Sequence, residues 1–290
     1  MGVAPRSVDM KVLAVSSFKG GVGKTTVAVH VAFEASLAGR TLLWDLDPQA
    51  ASTFQFRAKS SIEKSGRALA RDEVELGALA IATAYERLDI VPADASLRRL
   101  EESVGEFGFG WMHRELHALE RRYDHVILDC PPGLTNVTEN VLEAADAILT
   151  PTIPTPFALR ALAQLVKFLH SRKEHRYRVL PFFNLVDRRR SLHRETCDWV
   201  RTQPMHFLKT ELPYSSLLEQ ATVHRAPIQS FAPSSEPALA FRCLWNEVAA
   251  RLQKSPELPA GIMRHPNKLA RSQRDLWRAE RSAPQAETSA

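Results

Sequence analysis

Short apolar runs along the chain alternate with longer stretches in which apolar residues recur at helical spacing. Residues 11–16 read KVLAVS and residues 125–129 read HVILD, with little polar interruption. Continuous apolar runs are typical of parallel strands covered on both faces, because neither face of such a strand meets water. The pattern predicts strands at residues 11–16, 41–45, 88–91, 125–129, 147–150 and 179–185.

Helical periodicity fills the intervals between these strands. Apolar residues recur three and four positions apart, and Gly39 follows the first such segment as a helix-ending residue. Helices are predicted at residues 25–38, 110–122, 158–170, 191–201 and 237–252. Strands that alternate with helices indicate an α/β fold, in which a mostly parallel, twisted sheet has helices on both faces.

Length and composition predict the domain organisation. The 290 residues are 44% hydrophobic and 24% charged, which is ordinary for a globular protein. Pro, Ser, Ala and Arg dominate after residue 254, where few apolar residues remain to be buried. We therefore expect an N-terminal extension at 1–10, a single domain at 11–253 and a disordered basic tail at 254–290.

Charge and cysteine content narrow the class of protein. The formal net charge of +5 permits a nucleic acid or an anionic surface as partner without requiring either. Cys130, Cys197 and Cys243 are scattered and form no C-x-x-C pair, which is typical of reduced thiols. The apolar stretch at 146–169 contains three prolines and does not resemble a membrane span. We expect a soluble, cytoplasmic protein.

The first predicted strand leads into a glycine-rich loop and then a helix. Residues 17–26 read SFKGGVGKTT, which ends in the G-K-[ST] of a phosphate-binding loop. Glycines at positions 20, 21 and 23 let the backbone fold tightly, so that its N–H groups point at phosphate oxygens. The N-terminus of the following helix adds a favourable dipole. Strand, loop and helix together predict a nucleotide site.

Two lysines in this loop have different expected roles. Lys24 would neutralise the β- and γ-phosphates, and the Thr25 hydroxyl would complete the coordination of Mg²⁺. Phe18 stands where the usual pattern has its first glycine, and Lys19 follows it. An ordinary phosphate loop does not need this second lysine. Lys19 is therefore the feature of the loop that calls for an explanation.

Acidic residues follow two other predicted strands. Asp45 and Asp47 stand in the sequence DLDPQ, and Asp129 ends the strand at 125–129. Ligands of an open α/β sheet gather at the carboxyl ends of its strands. A single aspartate there is more often a helix cap. Three aspartates around one phosphate loop instead favour metal binding and the orientation of a water at the γ-phosphate.

Five segments together resemble one family. KGGVGKTT, DLDPQ and DCPPGLTNVTENVLEAADAILTP look like the ParA branch of the ParA/MinD family, the P-loop ATPases with a deviant Walker A motif. FFNLVDRR and LPYSSLLEQATVHRAPI extend the likeness, which covers residues 11–252. The resemblance implies a P-loop NTPase fold, ATP and Mg²⁺ as cofactors, and an ATPase that forms a homodimer in its ATP state.

The resemblance also implies roles for individual residues. Lys19 would reach across the two-fold interface to the nucleotide of the other subunit, and Asp47 would position the attacking water. Asp45 would be the partner of Asp47 near the metal, so that these three form the expected catalytic set. Asp129 would bind Mg²⁺ through water, beside Thr25. The implied nucleotide-binding residues are Gly20, Gly21, Val22, Gly23, Lys24, Thr25, Thr26, Asn184 and Pro213.

Basic residues cluster in the second half of the chain, where similar ParA proteins bind DNA without sequence preference. Such binding needs only Lys and Arg near phosphates, and for any one arginine a solvated surface position is an equally good interpretation. The implied DNA contacts are Arg188, Arg189, Arg190, Arg201 and Arg225. The resemblance further implies a nucleoid-associated protein that moves a plasmid, a chromosome or a protein assembly, with a ParB-like or cargo-adaptor partner that stimulates hydrolysis.

Three other functions stay open at this level. A membrane-cycling ATPase of the MinD type would need an amphipathic C-terminal helix, whereas this chain ends APQAETSA. An iron–sulfur carrier of the same superfamily would need paired thiolates, and only Cys130 lies near the expected switch region. A biosynthetic amidoligase would need a small-substrate pocket that no motif indicates.

Overall fold

A single seven-stranded sheet forms the centre of the computed structural model, which describes residues 10–59, 62, 65–107, 110–171, 178–203 and 206–253. The strands are β1 (Lys11–Val15), β2 (Thr41–Asp45), β3 (Ile81–Ala82), β4 (Leu88–Val91), β5 (His125–Asp129), β6 (Ala147–Thr152) and β7 (Val179–Phe183). The expected tail at 254–290 and, apart from Met10, the expected N-terminal extension lie outside the described residues.

The strand order is β3-β4-β2-β5-β1-β6-β7, and each neighbouring pair is parallel except β3 with β4. All six predicted strands are confirmed. The antiparallel edge strand β3 is not among the predictions, because two residues are too few to show a period. The mostly parallel sheet expected from the alternation of strands and helices is therefore present.

Helices connect the strands and cover the sheet. Those of the described residues are α1 (Lys24–Ala38), α2 (Ala51–Gln55), α3 (Ser65–Ala70), α4 (Leu76–Leu79), α5 (Leu97–Phe107), α6 (Trp111–His117), α7 (Asn136–Ala144), α8 (Pro156–Ser171), α9 (Ser191–Thr202), α10 (Ser216–His224), α11 (Ile228–Phe231) and α12 (Glu236–Leu252). The predictions for α1, α8, α9 and α12 agree within two residues at each end. The helix predicted at 110–122 ends early, because the amides of Leu119 and Arg122 bond to carbonyls three residues back and form turns.

The continuous apolar character of the strands reflects burial on both faces of the sheet. Leu13 and Val15 of β1 belong to the core that α1 and α12 complete, whereas Val12 and Ala14 belong to the core on the α5 and α7 side. Burying a valine or leucine side chain stabilises a fold by about 1.5–3 kcal/mol. Alternate residues of one strand therefore hold both helical layers to the sheet.

Three strands end together at one edge of the sheet. Val15 of β1 is the register partner of Asp129 in β5, and Asp129 is in turn the partner of Asp45 in β2. Because these strands are parallel, their carboxyl ends lie on the same edge. The fold thus brings the loop after β1 together with two of the three aspartates that follow strands in the sequence.

Candidate active site

The loop between β1 and α1 has the backbone of a tight anion-binding turn. Gly21 has φ 70° and Gly23 has φ 84°, both in the left-handed region that glycine adopts without strain. A Cβ at Gly23 would lie 2.6 Å from Nδ2 of Asn184, so alanine would meet a steric conflict as well as strain. Gly23 is also the N-cap of α1, whose first N–H groups are therefore free for a phosphate.

Asn184, directly after β7, holds this loop in place. Its side chain is 2% exposed, and Nδ2 donates to the carbonyl of Val22 at 2.7 Å. The neighbouring segment around Pro213 runs beside the end of β7, because Leu212 N–H donates to Phe183 and Val186 N–H donates to Leu212. The two residues expected to line the adenine base therefore lie on adjoining strand-like segments next to the loop.

Lys24 is the first residue of α1 and is only 8% exposed. Burial lowers the pKa of its ammonium, and the negative charges of Asp129 and Asp47 act in the opposite direction. A partly desolvated lysine gains most from a nearby anion, because solvent no longer screens the attraction. The position suits a lysine that waits for phosphate oxygens.

Asp129 is a fully buried carboxylate at the end of β5. Its Oδ2 accepts from the hydroxyl of Ser52 at 2.7 Å, while its Oδ1 has no hydrogen-bond partner among the described residues. Burial raises the pKa of Asp129 to about 7, with Asp45 adding to the effect and the hydroxyls of Ser52 and Thr25 opposing it. A buried carboxylate oxygen without a donor fits a Mg²⁺-bound water, since an unpaired polar atom in the interior is otherwise costly.

The surroundings of Asp129 suit magnesium in particular. No group of three His, Cys, Asp or Glu side chains in the described part of the chain is placed to hold a metal ion. Mg²⁺ keeps several waters and uses one or two protein oxygens together with substrate phosphates, so it does not need such a cage. Asp129 and the hydroxyl of Thr25, which opposes the rise in the pKa of Asp129, are the protein groups available to it.

Asp45 has its oxygens occupied by the protein itself. Oδ2 accepts from both the N–H and the hydroxyl of Thr53 at 2.8 Å, and Oδ1 accepts from the N–H of Asp47 at 3.2 Å. Burial raises the pKa of Asp45 to about 6, against these hydrogen bonds. This arrangement gives Asp45 a positioning role, because it holds the backbone of Asp47 and the start of α2.

Asp47 lies in the turn between β2 and α2, and its carboxylate is half-buried. Oδ1 accepts from the N–H of Gln49 at 2.9 Å, and the main-chain carbonyl accepts from Ala50 at 2.8 Å. The side chain is thus held in a turn at the carboxyl edge of the sheet. Its negative charge opposes the lowering of the Lys24 pKa by burial. The three aspartates, the loop and Lys24 form one cluster.

Ser52 and Thr53 of α2 join this cluster without having been singled out by any motif. The Thr53 hydroxyl donates to Asp45 and accepts from the N–H of Ala93 at 2.8 Å, so it links β2 to the chain after β4. Two hydroxyl residues directly after DLDPQAA, in a helix of only five residues, leave no periodic trace in a sequence. Their contacts with Asp129 and Asp45 depend on β2 and β5 being neighbours in the folded sheet.

Lys19 is half-exposed near the start of the loop. Its N–H donates to the Ser17 hydroxyl at 3.4 Å, and its ammonium forms no ion pair within the described part of the chain. The lysine therefore has no charged partner within the described part of its own chain. Such a position is compatible with contact to a second molecule.

The arginines expected to contact DNA differ in their surroundings. Arg188 pairs with Glu211, and Arg201 pairs with Asp198 at 2.9 Å and with Glu211. Arg189 forms a bidentate pair with Asp187 at 2.9 and 3.0 Å, which lowers the pKa of Asp187 to about 2. Arg190 is exposed and has no ion pair among the described residues.

Arg225, the fifth of these arginines, contacts the candidate active site through α2. Its guanidinium lies 4.1 Å from the centre of the Phe54 ring, and its Nε donates to the Phe54 carbonyl at 2.8 Å. Arg57 donates to the His224 carbonyl at 2.9 Å, which adds a second link. The same short helix thus contacts Asp45 and Asp129 at one end and the end of α10 at the other.

Two further sequence-based expectations concern membranes and thiols. Within the ranges that the structure describes, no helix has both the length and the apolar character of a membrane span. Cys130 and Cys197 are buried, and Cys243 is exposed. Burial raises the pKa of the Cys130 thiol, with the adjacent Asp129 adding to the effect. A protonated thiol of this kind is a poor ligand and a poor nucleophile.

Known proteins share this sequence over most of its length. The profile of a family described as "AAA domain" matches residues 10–180. The sporulation initiation inhibitor protein Soj of Bacillus subtilis is 32% identical, over 83% of this chain and 98% of its own. The chromosome partitioning protein ParA of Caulobacter vibrioides is 31% identical, over 83% of this chain and 95% of its own.

A solved structure shares the architecture. Cobyrinic acid a,c-diamide synthase from Mycobacterium smegmatis, with a bound ATP analogue and magnesium, has a TM-score of 0.72 with this chain at 25% identity. The superposition covers 86% of this chain and 97% of the synthase. The fold described above is therefore one that holds a nucleotide and magnesium in another protein.

Proposed function

Since this chain belongs to the ParA family of ATPases, we propose that it binds ATP with Mg²⁺ and becomes a homodimer in that state. In the proposed cycle the dimer binds nucleoid DNA without sequence preference, and a ParB-like or cargo-adaptor partner stimulates hydrolysis and release. The synthase shares the fold, whereas Soj and ParA share the sequence over nearly their whole lengths, and the proposal follows the latter.

Nucleotide binding would rest on groups already in place. The N–H groups of the loop and of the first turn of α1 would donate to phosphate oxygens. The phosphate charge would stabilise the Lys24 ammonium, which burial destabilises. Thr25 and Asp129 would hold Mg²⁺, which when bound neutralises part of the phosphate charge. Asn184 and the segment at Pro213 would border the base.

The dimer hypothesis rests on Lys19, whose ammonium forms no ion pair in the part of the chain that the structure describes. Two triphosphates brought face to face repel each other unless cations lie between them. Lys24 would serve the nucleotide of its own chain, and Lys19, in the same loop, has no ion pair among the described residues. A lysine supplied by the second subunit would complete charge neutralisation only in the assembled state, as an arginine finger does.

Asp47 would orient the attacking water in the proposed hydrolysis step. Its backbone is fixed by Asp45 and its side chain by Gln49, so one carboxylate oxygen stays available. Loss of the γ-phosphate would remove the anion that Lys19 of the other subunit contacts, and the dimer would then separate. DNA release would follow, since each subunit alone offers half of the basic surface.

The experiment that tests this proposal is light scattering on purified protein with ATP and Mg²⁺, and with ADP. The wild type should be monomeric with ADP and dimeric with ATP. Lys19→Ala should stay monomeric in both while still binding nucleotide, because Lys24 and Asp129 are untouched. Lys167→Ala, which removes an exposed lysine from α8, is the matched control and should dimerise. A Lys19→Ala dimer fraction equal to that of the wild type would contradict the proposal.

A further inference from the structure

A cavity of about 320 Å³ opens at the edge of the sheet opposite the candidate active site. Its lining residues lie within the three positions before β2, β4 or β5, or at the second position of β4, so the cavity lies at the amino ends of three neighbouring strands. The lining consists of Arg40, Arg87, Asp89, Arg122 and Tyr123. Neither the ATPase cycle nor the expected DNA surface uses any of these residues.

Each of the three arginines is held in place by a main-chain carbonyl. Arg40 donates to the carbonyl of Arg121 at 3.3 Å, Arg87 to that of Leu37 at 3.0 Å, and Arg122 to that of Gly77 at 2.7 Å. A guanidinium has five N–H donors, so each of these groups keeps several for a ligand. Anchoring reduces the conformational entropy that binding would otherwise cost.

The cavity also has an excess of positive charge. None of the three guanidinium groups forms an ion pair in the residues that the structure describes, and the Asp89 carboxylate accepts from the Tyr123 hydroxyl at 2.8 Å. Counted over the lining itself, three cations and one anion leave two positive charges, and the Asp124 carboxylate outside the lining accepts from the main-chain N–H of Arg40 at 2.7 Å. Arginines collected in this way repel one another unless an anion lies between them.

Arg87 occupies a backbone position that favours a different residue. Its φ is 59°, in the left-handed region where glycine or asparagine is more usual. A non-glycine residue held there costs free energy. The arginine at this position places a guanidinium at the cavity.

From these observations we propose that the cavity binds a small phosphorylated molecule through its phosphate or pyrophosphate group. Guanidinium groups pair with phosphate oxygens in bidentate fashion, and the volume is at the lower end of that of small-ligand pockets. The concave arrangement favours a compact anion over a DNA backbone, which needs cations spaced along an accessible surface. The site is independent of the nucleotide at the phosphate loop.

Calorimetric titration with inorganic pyrophosphate tests the proposal. The protein is first saturated with ADP and Mg²⁺, so that the phosphate loop is filled. Wild type should bind pyrophosphate, and Arg87→Gln combined with Arg122→Gln should weaken binding at least about tenfold, through the loss of charge-assisted hydrogen bonds. Arg121→Gln, beside the cavity but outside its lining, is the matched control and should change nothing.

A variant that binds pyrophosphate more tightly shows that the cavity recognises the anion, because a variant that merely unfolds can only lose affinity. Asp89→Asn removes the one negative charge while its amide oxygen still accepts from Tyr123, so pyrophosphate should bind several-fold more tightly. No pyrophosphate binding by the wild type, or equal binding by all variants, would overturn the proposal. Binding of a short DNA duplex through these arginines, without pyrophosphate binding, would overturn it as well and assign them to DNA.

Discussion

The hydroxyl of Ser52 donates to Oδ2 of Asp129 at 2.7 Å and joins the short helix α2 to the carboxyl end of β5. The next residue, Thr53, holds Asp45 in the same way. One turn of helix therefore orients both buried carboxylates of the candidate active site. The position of α2 and the geometry around the metal are thus coupled.

Removing the Ser52 hydroxyl should weaken metal binding. Ser52→Ala removes the hydroxyl that donates to Oδ2 of Asp129 and leaves the carboxylate less well oriented. Loss of such an orienting contact commonly costs 10- to about 100-fold in metal affinity. The Mg²⁺ concentration needed for half-maximal ATPase activity should rise accordingly. Ser36→Ala, a buried serine on α1 that donates to Phe33, is the control, and an equal Mg²⁺ requirement in both variants would contradict the assignment.

Asp47→Ala should separate nucleotide binding from hydrolysis. Lys24, Thr25 and Asp129 still hold ATP and Mg²⁺ in this variant, whereas the attacking water loses its carboxylate. Loss of a catalytic group of this kind typically costs ~10²–10⁴-fold in rate. The variant should therefore accumulate as an ATP dimer that stays on DNA. Hydrolysis at the wild-type rate in a phosphate-release assay would show that Asp47 is structural only.

Much of this site follows from local sequence, because a phosphate loop is built from consecutive residues. Gly23, Lys24 and Thr25 need only a strand before them and a helix after them, and all of this is readable in SFKGGVGKTT. Asp45 and Asp129 were assignable because apolar strands precede them directly. Sequence motifs thus predict the residues whose positions follow from the local backbone.

Residues placed by long-range packing are not readable in this way. Ser52 reaches Asp129, 77 positions away, only because β2 and β5 are adjacent. Arg40, Arg87 and Arg122 come together because the strands that follow them are neighbours in the sheet. The helix α7 was missed although Thr135 caps it and Val137 and Val141 show its period, since nine residues give only two turns of pattern.

The expected DNA arginines should not contribute equally. Arg190 has a free charge, whereas Arg201 is held by Asp198 and Glu211. Arg190→Ala should make the plot of log affinity against log salt for a random duplex less steep by about 2, since each subunit of the dimer loses one phosphate contact. Arg201→Ala should leave that slope unchanged. Equal slopes for Arg190→Ala and the wild type would contradict the assignment of Arg190 to the DNA surface.

His30 should make stability depend on pH. The ring is fully buried on α1, stacks on Phe241 at 4.5 Å, and Nδ1 lies 2.6 Å from the carbonyl of Thr26. Burial lowers the pKa of His30 to about 4, so the folded protein keeps the ring neutral where the unfolded chain binds a proton. The contribution of the neutral His30 to the free energy of unfolding is thus fully present above the unfolded pKa of about 6.5, and it is lost as the pH falls from there towards 4.

Urea unfolding at pH 7 and pH 5 measures this effect. The lowered pKa predicts a loss of about 2 kcal/mol of unfolding free energy from His30 between these two pH values. His30→Gln stays neutral and can still donate to Thr26, so its loss should be smaller by that amount. The nearby Glu34, whose pKa is raised by burial, is present in both proteins and cancels in the comparison. Equal losses in the two proteins would contradict the buried neutral histidine.

The central claim is that Lys19 acts on the nucleotide of the other subunit, and mixing two inactive variants tests it directly. Lys19→Ala keeps Asp47 but cannot supply the lysine, and Asp47→Ala supplies the lysine but cannot hydrolyse. In a mixed dimer the Lys19→Ala subunit has its own Asp47 and receives Lys19 from its partner. One complete site therefore forms only if the lysine crosses the interface.

The measurement is ATP hydrolysis by each variant alone and by an equimolar mixture at the same total concentration. Lys19→Ala mixed with Asp47→Ala should hydrolyse ATP well above the sum of the two separate rates. Lys24→Ala mixed with Asp47→Ala is the control and should stay inactive, because neither subunit combines ATP binding with Asp47. A Lys19→Ala and Asp47→Ala mixture no faster than its separate components would mean that Lys19 serves its own subunit, and the proposed dimer would be wrong.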